Sequence, residues 1–103
     1  MTENKAKKEI IEIGKYDVPK KLVDRYVRFS MMADAYLLKD KKIIDRPMSE
    51  QEISYRYTMC ASEMMKIHRE ICRLLEIEYT SDNTDEFYIA FHREIRKLTK
   101  LKG

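Results

Sequence analysis

The tetrapeptide HREI occurs twice, at His68 to Ile71 and at His92 to Ile95, and holds the only two histidines of the chain; two cysteines, Cys60 and Cys72, stand nearby in sequence. Imidazole and thiol are the side chains that ligate zinc or act as base and nucleophile near neutral pH, so spacing decides what they can do here. A helical di-iron site takes a Glu three residues before each His, and those positions hold Met65 and Ile89. A zincin takes two His four apart around a Glu, and neither His has such a partner. Inside HREI the His and Glu are two residues apart, about 200° around a helix, and point in opposite directions. Cys60 and Cys72 are separated by about 18 Å of helical rise, too far for a disulfide, and read as buried thiols of a reducing compartment. With Gly14 and Gly103 as the only glycines, no glycine-rich phosphate loop can form. No catalytic residue, metal or cofactor is expected, and the chemistry that remains is binding.

Two stretches have the residues for it. Lys15, Lys20, Lys21, Arg25 and Arg28 lie among Tyr16 and Tyr26, with Asp17 and Asp24 interspersed. Such a mixture contacts phosphates, with tyrosines adding hydrogen bonds or stacking, although a solvated helix face has the same composition. In SYRYTMCASEMM, Tyr55, Met59 and Met65 fall off the main apolar seam, so the helix is either buried on several sides or offers a soft Met/Tyr surface to a partner. Self-association would cover that surface, and a chain of 103 residues has reason to seek it.

These residues must be held by helices. Hydrophobic residues are 44% and charged residues 38% of the chain, with two Gly, two Pro and no Trp, which leaves few turn formers for a many-stranded sheet. The net charge of +3 is mild for a nucleic-acid binder. No apolar run approaches membrane-spanning length and no leader precedes the first charged residues, so a cytoplasmic protein without a membrane partner is expected.

Periodicity predicts an all-α bundle, a single domain over residues 1–103 with frayed ends at 1–4 and 102–103. A short helix over 5–13 ends at Gly14 as C-cap. A long helix over 18–41, with Asp17 as its N-cap and Pro19 in its first turn, carries Leu22, Tyr26, Phe29, Ala33 and Tyr36 at spacings of four and three. A second over 49–77 opens on the capping box Ser49/Glu52 and carries Ile53, Tyr57, Cys60, Met64, Ile67, Ile71 and Leu74 in an unbroken four-three alternation. The short connection through Pro47 makes these two antiparallel. A fourth helix over 84–101, capped by Asn83, presents Phe87, Tyr88, Phe91, Ile95 and Leu98, and its basic tail of Arg93, Arg96, Lys97, Lys100 and Lys102 suits the negative end of a helix dipole. Both HREI copies occupy the same helical frame, which predicts His68 and His92 at the margins of the core.

The order of these features resembles phage terminase small subunits. The segment from Gly14 to Ile43 is similar to the family's first long helix, Pro47 stands in its turn, and RLLEIEYT stands where a second long helix ends in a Leu-Gly-Leu-Thr-like segment, with Glu76 at the glycine's place. The resemblance covers about residues 10–80 and leaves the fourth helix outside. It implies a non-catalytic subunit that binds double-stranded DNA, assembles as a homo-oligomeric ring and hands DNA to a terminase large subunit. Lys15, Lys20, Lys21, Arg25 and Arg28 would then contact phosphate while the central helices pack in the oligomer. The competing expectation is a small helical protein–protein interaction module, an inhibitor, adaptor or regulator from a phage or other mobile element.

Overall fold

The computed structural model describes residues 9–38 and 46–102. It is mostly helical, with one departure from an all-α bundle: the described part of the expected first helix is a strand. β1 (Ile10–Ile13) pairs antiparallel with β2 (Tyr16–Pro19), matching Ile11 to Val18 and Ile13 to Tyr16. Residues 5–8 of that expected helix lie outside the described residues. The reason is local. Ile11 and Ile13 alternate with Ile10 and Glu12 at the period of a strand, and β-branched residues favour the pleat. Gly14 takes φ +60° as the first residue of a two-residue hairpin loop, the position that asks for glycine, and so turns the chain instead of capping a helix.

Three helices follow among the described residues. α1 (Lys20–Leu38) starts directly after Pro19, so the expected cap Asp17 and the expected first turn at Val18 and Pro19 belong to β2 instead, where the hairpin pairing claims their backbone; the Lys20 backbone N–H donates to the Glu9 carbonyl at 2.6 Å. The last expected turn, 39–41, lies outside the described residues, as do the linker's Ile43, Ile44 and Asp45. α2 (Glu50–Leu74) is capped by Ser49, whose Oγ accepts from the Glu52 N–H at 3.1 Å. Only half of the capping box forms, because the Glu52 carboxylate turns outward to Arg46 and to Arg56 Nε at 3.3 Å. α3 (Glu86–Lys102) is capped by Asp85 in place of Asn83: the Tyr88 N–H donates to Asp85 Oδ2 at 2.9 Å.

α1 and α2 are antiparallel, since Ala33 and Tyr36 meet Cys60 at one end while Val23 and Val27 share a cluster with Ile67 and Ile71 at the other. Among the described residues, the hairpin and α3 cover this second end and not the first. There Ile13 and Val18 pack with Phe87, Phe91 and Ile95 in the main core. Tyr16 meets Phe87 edge-on at 5.3 Å between ring centroids, and Gly14 lies against Ala90.

The end of α2 explains a sequence oddity. The Ile77 N–H donates to the Cys72 carbonyl at 3.0 Å and the Glu76 N–H to Arg73 at 3.2 Å, the two bonds of a Schellman cap. Its left-handed residue is Glu76, at φ 56°. A side chain there costs conformational energy that glycine avoids, so Glu76→Gly is expected to raise stability by about 0.5–1 kcal/mol despite the looser unfolded chain. Urea unfolding of the two proteins checks this, and a destabilised variant would contradict it.

Candidate functional site

α1 carries Lys21, Arg25 and Arg28 at spacings of four and three, so they share one exposed helix face. The five basic positions singled out in the sequence do not form one free patch. Lys15 stands on the hairpin turn, 3.9 Å from Glu86 and over the ring of Tyr16; Lys20 pairs with Asp24 at 3.2 Å; Arg25 reaches Glu63 of α2 at 4.0 Å. Lys21 and Arg28 have no ion pair among the described residues. Of the two tyrosines among these cations, Tyr16 is half-buried and Tyr26 is not available for stacking on a ligand as the sequence suggested. Tyr26 is a core residue, edge-on to Phe91 at 4.8 Å, and burial with Tyr88 and Tyr79 nearby pushes its phenol up to about 12.

A second cationic face lies on α3. Arg93, Arg96, Lys97 and Lys100 recur at three, four and seven residues, all exposed, opposite the buried Phe87, Phe91 and Ile95. Only Lys97 has an ion pair among the described residues, to Glu94 at 3.7 Å. The helix dipole accounts for less of this run than the sequence suggested, because its effect fades beyond the last turn and Arg93 and Arg96 precede that turn. The spacing was legible in the sequence. What was missing was the pairing state, which made the α1 cations look freer than the α3 ones.

The apolar candidates also separate. Tyr55 and Met59, 65% and 50% exposed, line an open groove of about 250 Å³ between α1 and α2, with Phe29, Met32 and Tyr36 on the other wall. Met65 is exposed too, but six residues on from Met59 it lies about 120° away around the helix and does not share the groove.

The HREI copies do meet, and not as two surface margins. His92 is half-buried, whereas His68 is 5% exposed, its ring 5.0 Å from both Phe91 and Tyr79 and 5.9 Å from His92. The helical frame put His68 beside the stripe correctly; α3 and the 75–79 segment then closed over it. Burial, reinforced by His92 and opposed by Asp85, pulls His68 down to about 4. Burial and the Arg96 charge lower His92 as well. Both are neutral imidazoles at pH 7. Among the described residues no three His, Cys, Asp or Glu side chains gather as metal ligands. Cys60 and Cys72 are buried with their thiols pushed up by desolvation, the opposite of an activated nucleophile.

A polar pocket of about 600 Å³ lies between the irregular segment 77–80 and the start of α3, with Glu78, Asp82, Asp85 and Glu86 on its wall. Its charge repels phosphate, so an anionic ligand belongs on the helix faces instead. No described helix is long and apolar enough to cross a membrane. No family model, curated protein or solved structure matches this chain.

Proposed function

We propose that this chain is a non-catalytic, self-associating protein that binds double-stranded DNA, in the manner of a phage terminase small subunit that presents DNA to a large subunit. The observation that carries the reading is the α3 face, where Arg93, Arg96 and Lys100 are exposed, aligned and without ion pairs among the described residues. Its span of seven residues is about 10 Å, the length of roughly three phosphates along one strand. Arginine fits phosphate in a bidentate way. The apolar face of α3 is spent in the core, so the helix cannot also lie in a membrane surface. The α1 face adds Lys21 and Arg28, with Lys15, Lys20 and Arg25 released from modest exposed pairs.

Fluorescence anisotropy with a labelled duplex tests the reading. Affinity is expected to fall steeply with salt, and the triple variant Arg93→Ala, Arg96→Ala, Lys100→Ala should bind at least tenfold more weakly with the log–log salt slope reduced by about 3. Absence of salt-sensitive duplex binding would overturn it. The open Tyr55/Met59 groove favours a second reading, an interaction module whose work is done on a protein partner, and that reading gains if the duplex is not bound.

A further inference from the structure

We infer that two copies of this chain pair antiparallel through the outer stripe of α2, about a two-fold axis beside Met59. The inference rests on the self-association in the reading above and supplies its geometry.

Among the described residues this region is short of a layer. The hairpin and α3 cover one end of the α1–α2 pair, and at the other end the described residues form a small buried cluster of Ala33, Tyr36 and Cys60. The molecule is correspondingly open, with a radius of gyration of 15.3 Å, where a compact chain of about this length has ~13 Å. Two helices alone form a single layer and cannot bury an apolar stripe without another element against it. Tyr55 and Met59 stand at the lip of the open groove as a result.

Charge selects a second copy as the occupant. Along α2, Glu52, Tyr55, Met59, Ser62 and Lys66 recur at three, four, three and four, the seam of an antiparallel helix pair. Arg56 and Glu63 each follow a seam residue and so lie on the same flank of it. An antiparallel two-fold lays each flank on its own copy and reverses the order of residues. Arg56 then faces Glu63 of the partner subunit, Tyr55 comes within reach of the same carboxylate, and the seam ends place Glu52 near the partner's Lys66. Met59 packs on itself at the axis. Parallel pairing would set Glu52 on Glu52 and Lys66 on Lys66. In the single chain Arg56 hydrogen-bonds the buried Tyr36 and holds Glu52 at 3.3 Å, and Glu63 holds Lys66 at 3.4 Å and Arg25 at 4.0 Å; the three carboxylate pairs are exposed and exchange partners at little cost, whereas the Tyr36 bond can stay in place as Arg56 turns its remaining N–H groups to the partner. Such an interface is isologous and closes at two, so the pair is a complete unit and any larger ring is built from pairs.

Analytical ultracentrifugation of the full chain over a concentration series tests this, with circular dichroism confirming that each variant is folded. The expected result is a species of twice the 12.4 kDa chain mass. Met59→Glu and Arg56→Glu should each raise the dimer dissociation constant at least tenfold, and Arg56→Glu with Glu63→Arg should restore it to within about threefold, because the swap rebuilds the cross-pair. Folded Arg56→Glu that dimerises like the parent, a folded double variant that is not rescued, or a parent chain that stays monomeric at every concentration would overturn the pairing. So would assembly unaffected by Met59→Glu. Loss of dimerisation alongside intact salt-sensitive DNA binding would sink this inference alone; loss of DNA binding with the dimer intact would sink only the DNA reading.

Discussion

Phe91→Ala is expected to lower the unfolding free energy by about 3–5 kcal/mol, a large part of what a chain of this size has. Phe91 is fully buried and lies where every layer meets: edge-on to Tyr26 of α1 at 4.8 Å, 5.0 Å from His68 of α2, and stacked on Phe87 at 5.6 Å. Truncation removes its own burial and leaves a cavity walled by rings that cannot collapse inward without giving up their mutual geometry. Leu98, partly buried near the free end of the same helix, should cost far less when truncated. Urea titration of both variants decides. A loss below about 1 kcal/mol at Phe91 would mean that α3 is not docked as described.

Mild acid should destabilise the protein through the histidines. The unfolded chain takes up a proton on His68 near the ordinary value of 6.5, while the folded protein resists until about 4. The stabilising contribution is therefore complete above about pH 6.5 and is lost progressively as pH falls toward 4, because protons then favour the unfolded state. For a group only 5% exposed the full loss amounts to about 3 kcal/mol, of which most appears by pH 4.5. His92, lowered for the same first reason of burial, adds to it with the same sign. Glu52, Glu70 and Asp82 are held below their ordinary values by Arg46, Arg73 and Thr84 respectively, so their losses come at lower pH and leave this window to the imidazoles. Chemical denaturation between pH 7 and 4.5 gives the measurement. His68→Phe should flatten much of the slope, and an unchanged slope would show that His68 is not buried as a neutral ring.

Much of the helical scaffold could be read directly from the chain. The four-three recurrence from Ile53 to Leu74 placed α2 within a turn at its end, and Ser49 acts as its cap. The Leu22 to Tyr36 pattern placed α1, and Phe87, Phe91 and Ile95 are indeed the buried face of α3. Periodicity works here because a helix side chain's direction follows from its position along the chain, whatever it later packs against. The first element escaped for the same reason in reverse. Four residues of IIEI carry too short a pattern to tell strand from helix, and Gly14 in the left-handed region serves a helix cap and a hairpin loop equally well.

The candidate sites needed contacts between elements distant in sequence. Whether a lysine is free depends on which carboxylate comes near it, and Lys15 finds Glu86 across most of the chain. The histidines show the division most clearly. From sequence alone, HREI is an amphipathic helix frame used twice, with Arg and Glu outward and His at the edge of an apolar stripe. Folding brought the two edges together and laid Phe91, Tyr79 and Tyr88 around His68, turning a marginal residue into a buried one. Helical periodicity sets the angle at which a side chain leaves its own axis; the dielectric it then meets is set by whichever helix packs there, and that is a property of the assembled core.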